Sequence, residues 1–304
     1  MVFLPTVSVV IPTHNRSAML ERGVRSVLGQ TYQNLECIIV DDASTDDTPD
    51  VINMLIKHDA RIKYIRHKTN RFASASRNSG IGISNGAFVA FLDDDDEWLP
   101  KKLEKQMALM SSLPDSFGLV YCWMDYFDTK GQLVRQHQPL LSGNVFQNVV
   151  TGNKIGGTPT LLVKRQFLDR AGWWDETLRI EDDDDLIARL CRCCLVDFVP
   201  EVLVRVSTGH GIQISHPDIK NADSYLNSIR TSEKLLSMVL DAGPTYRRQA
   251  AVLHARLGNH YARIGMISKS LSSFLKAFRS SALEWENVHM LLSLAKWALV
   301  GRRK

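Results

Sequence analysis

This sequence of 304 residues is poor in the features that mark several protein classes. Its five cysteines, Cys37, Cys122, Cys191, Cys193 and Cys194, form an odd set, two of them isolated and three crowded into "CRCC" with no second cluster to pair with. The odd count argues against a disulfide framework or a zinc site, and it fits a reducing compartment. The opening "MVFLPTVSVVIP" has no basic start and no long apolar run, so it reads as a strand and not as a signal peptide. The longest apolar stretch near a terminus, "VHMLLSLAKWALV" (Val288 to Val300), is broken by Ser293 and Lys296. It is too short for a bilayer, which needs roughly 20 residues. Basic residues interleaved with aromatics are missing too, which argues against nucleic acid. The expectation is a cytoplasmic protein, at most peripheral at the inner face of a membrane.

What is present is an uneven charge. The net +4 conceals a segment from Thr245 to Lys304 that carries eleven Lys and Arg against Glu284 and Glu286, a local +9. The rest of the chain is then −5, so an acidic front and a basic tail point to two tasks.

Short β-branched runs alternate with amphipathic stretches along the front half. "TVSVVIP" (Thr6 to Pro12), "LECIIVDD" (Leu35 to Asp42), "IKYIRH" (Ile62 to His67) and "AFVAFLDDDD" read as strands. Between them, "SAMLERGVRSVLGQ" from Ser17, "STDDTPDVINMLIKHD" from Ser44 and "ASASRNSGIGISNG" from Ala73 read as helices, with Ser17 and Ser44 as N-caps. The alternation predicts an α/β fold: a mostly parallel sheet with helices on both faces. Ligands on such sheets sit beyond the carboxyl ends of the strands. Asp41 and Asp42 end one strand and Asp93 to Asp96 another, so both acidic groups converge on one rim.

Further on, "GLVYCWMDYFD" reads as a strand, and "GGTPTLLVKRQFLDRAGWWDETL" as strand, helix and aromatic turn. "EDDDDLIARLCRCC" (Glu181 to Cys194) reads as a helix with an acidic start, and "STGHGIQISHPD" (Ser207 to Asp218) as a mobile loop over the site. The chain divides into a first domain over 1–218 and a helical extension over 219–304. Within the extension, Leu257, Gly258, Tyr261, Phe274 and Ala277 fall at the spacing of one tetratricopeptide-like hairpin, about 254–281, with Gly265 at its turn. A lone repeat cannot bury both faces, so it packs on the first domain or on a protein partner. The basic tail "KWALVGRRK" offers a second option, contact with anionic lipid.

Four adjacent aspartates repel one another unless a cation compensates them. Carboxylates without His or Cys select a hard divalent ion, Mg²⁺ or Mn²⁺, which bridges to substrate phosphates. The bland alternative is a solvated acidic turn.

Taken together, "VSVVIPTHNR", "LECIIVDDASTDDT", "RNSGI", "GAFVAFLDDDDEW" and "GWWDETL…EDDDDLIARL" resemble a family 2 glycosyltransferase, an inverting enzyme of the GT-A fold, over roughly residues 6–210. The resemblance implies a nucleotide-diphosphate sugar donor, UDP-linked by first choice, and a glycan or lipid-linked acceptor, with bacterial surface polysaccharide as the product class. It implies that Pro12, Thr13 and Asn15 line the base and ribose, that Asp42 accepts from the base, and that Arg77 and Asn78 lie near base and phosphates. It assigns Asp93 and Asp94 to the ribose side of the DxD motif and Asp95 to the metal. The base that takes a proton from the acceptor is Asp183 when the motif is anchored on Arg189 and Leu190, and Asp182 when it is anchored on Glu181. Trp173 and Trp174 replace the family's Gly-Phe, and Arg71 stands at a usual Gly. His210 is read as solvated. A nucleotide-sugar-binding module without turnover and a membrane-surface scaffold remain as rival functions.

Overall fold

The computed structural model describes residues 6–152, 155–209 and 222–280. The runs without a polar face form the first strands. β1 (Val7–Thr13) and β2 (Leu35–Asp41) are buried along their whole length. α1 (Ser17–Leu28) joins them and buries Leu20, Val24 and Val27, one helical stripe. α2 (Thr48–His58), β3 (Ile62–Arg66), α3 (Phe72–Ile83) and β4 (Phe88–Phe91) continue the alternation. Then come β5 (Glu97–Trp98), α4 (Lys102–Ser112), β6 (Phe117–Phe127), β7 (Leu133–His137), α5 (Phe146–Val149), β8 (Leu162–Lys164), α6 (Arg165–Ala171), α7 (Asp182–Cys193) and β9 (Leu195–Ser207). Three helices follow: α8 (Ala222–Asp241), α9 (Arg247–Arg263) and α10 (Ile267–Ser280).

Among the described residues the strands form one curled sheet in the order β3-β2-β1-β4-β8-β6-β9-β5, with β7 on β6. β3, β2, β1 and β4 are parallel neighbours, as are β6 and β9, while β8 runs antiparallel between β4 and β6. Alternation along β1 sends successive side chains to opposite faces. Val9 and Ile11 enter the core with Leu20, Leu55 and Met107, from α1, α2 and α4. Val10 faces α3 on the other side, so close that a Cβ on Gly80 would lie 2.4 Å from its Cγ1. Helices therefore cover both faces.

Helix starts differ from the sequence expectation. Ser17 is the first residue of α1, and Arg16 holds the cap position. Ser44 lies in a loop four residues before α2, where Asp46 Oδ1 accepts the N–H of Thr48 at 3.0 Å. Both loops run along the rim, and their polar side chains tie the loops to each other rather than capping the helix that follows.

The described residues fall into two compact units, 6–146 with 155–209, and 147–152 with 222–280. In the second, α9 and α10 form a hairpin that turns at Gly265 (φ 76°). A Cβ on Gly258 would lie 2.6 Å from the Phe274 ring, so the glycine permits the close approach of the two helices. Ser270 is buried and its hydroxyl donates to the Gly258 carbonyl at 2.9 Å, which explains a polar residue at that contact. Among the described residues no helix is long and apolar enough to cross a membrane. The segments "VHMLLSLAKWALV" and "KWALVGRRK", and the loop from His210 to Asp218, lie outside the described residues.

Candidate active site

Parallel register carries the ends of four strands to one edge. Thr13 pairs with Asp41, Asp41 with Arg66, and Val10 with Phe91, so the acidic run after β4 emerges beside the loops after β1 and β2. Pro12 and Thr13 are buried at the end of β1. Asn15 follows in a left-handed conformation (φ 54°), and its carboxamide oxygen accepts the N–H of Thr45 at 2.7 Å. Its own N–H donates to Ser44 Oγ at 2.9 Å. The first loop is thereby held by the second.

Asp41 and Asp42 are both buried, and both carboxylates are occupied. Asp41 accepts from the N–H of Ser44 (2.8 Å) and the Tyr64 hydroxyl (3.1 Å) and pairs with Arg66. Asp42 accepts from the N–H groups of Arg71 (2.8 Å) and Phe72 (2.6 Å) at the start of α3, and from His67 Nδ1 (2.7 Å). His67 Nε2 then takes the Ser79 hydroxyl at 2.9 Å. The Asp42 carboxylate thus meets the unpaired N–H groups at the start of α3, where a negative charge is favoured. Neither His67 nor this crossing was legible, because the partners lie 25 to 30 positions away.

Arg77 brings the two acidic groups together. It is buried, with Nη2 on Asp93 Oδ1 at 2.7 Å and Nη1 on Asp182 Oδ2 at 3.0 Å. Its guanidinium carbon lies 4.3 Å from the centroid of the buried Trp174 ring, which meets Phe91 edge-on at 5.2 Å. Burial alone would lower the Arg77 pKa, but Asp93 and Asp182 outweigh it and raise it. Asp182 also takes the Ser74 hydroxyl at 2.8 Å, and burial raises its carboxyl pKa despite Arg77. Asp183 Oδ1 accepts the N–H of Asp184 at 3.0 Å. Among the described residues no ion pair is formed by Asp183, which leaves it the carboxylate of this pair without a bound cation. Glu181 sits before the helix with φ 57°.

Asn78 is turned the other way. Its side chain accepts the N–H of Trp174 at 2.9 Å and donates to the Trp174 carbonyl at 2.8 Å, clamping the aromatic turn onto α3. Trp173 is partly exposed and its indole N–H donates to Asp169.

Across the rim, Arg16 Nη1 donates to Asp94 Oδ1 (3.0 Å) and to Asp95 Oδ2 (2.7 Å). Sequence reasoning gave Arg16 no role; its position directly behind "PTHN", as the nearest cation to an acidic rim, was the available signal. Burial pushes Asp94 up to about 6, with Arg16 opposing and Asp95 and Asp93 adding to the rise. Burial and Asp93 likewise raise Asp95, and burial with Asp93 and Asp95 raises Asp96 well above its ordinary value. Asp96 is tied to the N–H of Ser207 at 3.1 Å.

Two arginine side chains, Arg16 and Arg77, thus pair with three carboxylates of the acidic loop, Asp93, Asp94 and Asp95. Among the described residues no three of His, Cys, Asp or Glu close on one point. The donor set thus does not make an all-protein cage. It fits an ion held by one or two carboxylates that completes its shell with water and phosphate oxygens, as Mg²⁺ and Mn²⁺ do.

The family model described as "Glycosyl transferase family 2" matches residues 8–170. The chain belongs to that family. An uncharacterized glycosyltransferase of Rickettsia conorii is 37% identical over 167 residues, 53% of this chain and 27% of that protein. A candidate teichuronic acid biosynthesis glycosyltransferase of Bacillus subtilis is 43% identical over 114 residues, 38% of this chain and 45% of its own length. The chain thus spans about a quarter to a half of these two relatives. Among solved structures, Staphylococcus aureus TarS 1-349 in complex with UDP-GlcNAc superposes with a TM-score of 0.66 at 17% identity, covering 90% of this glycosyltransferase and 81% of that chain. The mannosyltransferase PcManGT of Pyrobaculum calidifontis, in complex with GDP-Man and Mn²⁺, gives 0.58 at 18% identity, over 98% and 81%. At these identities the likeness concerns the fold, which is that of GT-A enzymes.

Proposed function

We propose that this family 2 glycosyltransferase moves a sugar, with inversion, from a nucleotide-diphosphate sugar to an acceptor hydroxyl in the synthesis of a bacterial surface glycan. One observation carries the reading: a single buried guanidinium, Arg77, binds both Asp93 of the acidic loop and Asp182 at the head of α7. It fixes the place where a leaving group departs against the place where a proton is taken. A lone solvated acidic turn has no use for that link.

In this reading Pro12, Thr13 and Asn15 shape the base and ribose side. Asp42 and Asn78 hold α3 and its neighbours in place for the donor, and Arg77 lies beside the phosphates. Asp93 and Asp94 face the ribose, and Asp95 holds Mn²⁺ or Mg²⁺. The ion, when bound, stabilises negative charge on the departing diphosphate. Asp183 takes the proton from the acceptor hydroxyl, since Asp182 is tied to Arg77 and Ser74. UDP as the nucleotide is supported by the TarS complex and a metal by the PcManGT complex, each a property of those proteins. A polysaccharide or lipid-linked acceptor fits the Bacillus relative. The α9–α10 hairpin is proposed as a tetratricopeptide-like unit that serves a partner, and the enzyme as cytoplasmic, or peripheral at the membrane through its basic tail.

The test is a panel of UDP- and GDP-sugars, read by release of nucleoside diphosphate with Mn²⁺ and candidate acceptors. Asp183→Asn is expected to bind donor within threefold of the wild type while transfer drops at least a hundredfold; an active Asp183→Asn with a dead Asp182→Asn moves the base to Asp182. Asp95→Ala is expected to abolish metal-dependent transfer.

A further inference from the structure

The start of α3 carries an aromatic residue in a conformation that costs energy. Phe72 has φ 70°, in the left-handed region that a bulky side chain rarely adopts. Its N–H donates to Asp42 Oδ2 at 2.6 Å, so the helix end itself is already capped. The ring is not buried in exchange, since Phe72 is 48% exposed. Strain at an exposed aromatic gains no core packing, and such outliers gather at ligand clamps.

What the ring touches is a cation. The guanidinium carbon of Arg179 lies 3.4 Å from the Phe72 ring centroid, directly over its face. Arg179 comes from the turn that leads to α7, and its Nη1 donates to the Arg71 carbonyl at 3.3 Å. Two arginines meet at this junction, and their charges are treated differently. Arg71 pairs with Glu176 at 3.1 Å, whereas among the described residues Arg179 forms no ion pair, and it is exposed. Stacking uses the face of a guanidinium and leaves the N–H groups of its planar edge for a ligand.

The place of the pair indicates which ligand. Two residues on from Phe72, the Ser74 hydroxyl donates to Asp182 at 2.8 Å, and Arg179 precedes Asp183 by four residues. The stack therefore borders the head of α7, while Arg77, on Asp93 and Asp182, is buried further along α3. We infer that Arg179, presented on the Phe72 ring, recognises a phosphate group on the acceptor. The inference rests on the transferase reading, with Asp183 at the acceptor hydroxyl. An acidic rim repels an anionic acceptor, and a guanidinium without a protein carboxylate beside that rim offsets the repulsion. Two parallel N–H groups of its fork match two phosphate oxygens. A lipid diphosphate and a phosphodiester of a glycan both supply that chemistry, and the experiment separates them.

The full chain is saturated with UDP or GDP in Mn²⁺ buffer, so that the donor's own phosphate positions are filled. It is then titrated with farnesyl diphosphate and with a glycerol phosphate oligomer, each carrying an uncharged dye and read by fluorescence anisotropy. Farnesol and an uncharged polyglycerol, labelled alike, are the controls. The wild type is expected to bind one phosphate probe at least tenfold more tightly than its uncharged control, and the probe preferred names the source of the phosphate. Arg179→Gln is expected to lose at least tenfold for that probe while holding nucleotide within threefold of the wild type. Phe72→Leu, which removes the ring beneath the cation, is expected to lose at least threefold. Circular dichroism checks that both variants are folded. Phosphate binding that both variants leave unchanged overturns the inference, as does a loss of nucleotide affinity beyond threefold in Arg179→Gln, which moves the residue to the donor. If the wild type binds nucleotide but neither phosphate probe above its control, the inference is overturned and the transferase reading stands. If it binds no nucleotide, that reading falls and takes the inference with it.

Discussion

Replacing Arg77 by Met removes one charge and keeps most of the stem that lies on Trp174. What remains is Asp182, with 18% of its side chain exposed, and Asp93, with 33%, both without their cation. Breaking a buried ion pair by deleting one partner costs about 3–5 kcal/mol. Asp93 is a third exposed and water relieves it, so about 3 kcal/mol at pH 8 is expected. The sign of the pH dependence follows from Asp182. Its folded pKa is already raised by burial, with Arg77 holding it down, and loss of Arg77 raises it further. A carboxyl whose folded pKa lies above its unfolded value near 3.9 binds its proton first in the folded state, so the penalty is full above the folded pKa and relieved as pH falls. Urea unfolding followed by tryptophan fluorescence should show the gap to wild type, about 3 kcal/mol at pH 8, narrowing as pH falls to 5. A gap equal at both pH values, or below about 1 kcal/mol at pH 8, would refute the claim that Arg77 neutralises this pair.

Two glycines of α3 make a matched pair. Gly80→Ala places a Cβ 2.4 Å from Val10 Cγ1 and should cost about 1–3 kcal/mol by thermal denaturation, whereas nothing lies within 4 Å of a Cβ on Gly82, so Gly82→Ala should be neutral or stabilising by up to about 1 kcal/mol. Lys102 is fully buried, with Nζ 3.9 Å from the Trp98 ring centroid and hydrogen-bonded to Gln106, and burial pulls its pKa down to about 8. The unfolded chain then binds the extra proton, so the stability of the wild type relative to Lys102→Met should rise by about 2 kcal/mol between pH 7 and 9.5; a flat difference contradicts the assignment. Ser270→Ala removes the hydroxyl that reaches the Gly258 carbonyl and should cost about 1 kcal/mol, read by the unfolding of α9 and α10 in hydrogen exchange.

The parallel half of the sheet was legible because β1 and β2 are apolar on both faces, and the acidic rim because aspartates follow strands at fixed places. The head of α7 was legible for the same reason, as carboxylates before an amphipathic stripe. What escaped was every contact made by a side chain leaving its own loop. Asp42 reaches forward to α3 and Asn78 to the Trp174 turn, while Arg16 crosses to Asp94 and Asp95. Such pairs are set by strand register and loop packing, which local periodicity does not encode. β5 escaped too: at two residues it is too short to carry a period, and its pairing with β9 defines it. The caps failed because Ser17 and Ser44 stand near polar partners in a neighbouring loop, which compete with the helix ends.

The seat of α3 on β1 has a wider consequence. Gly80 presses the helix against the sheet one turn after Arg77, while Asp42 holds its first turn. The helix is thus a ruler with both marks cut on it. With the roles proposed for Asp93 and Asp183, any slide of the ruler would alter the span between bond broken and bond formed for every substrate alike. Adaptation to a new sugar or acceptor has to come from the flanking loops, and a change at Gly80 would be felt as lost chemistry rather than altered preference.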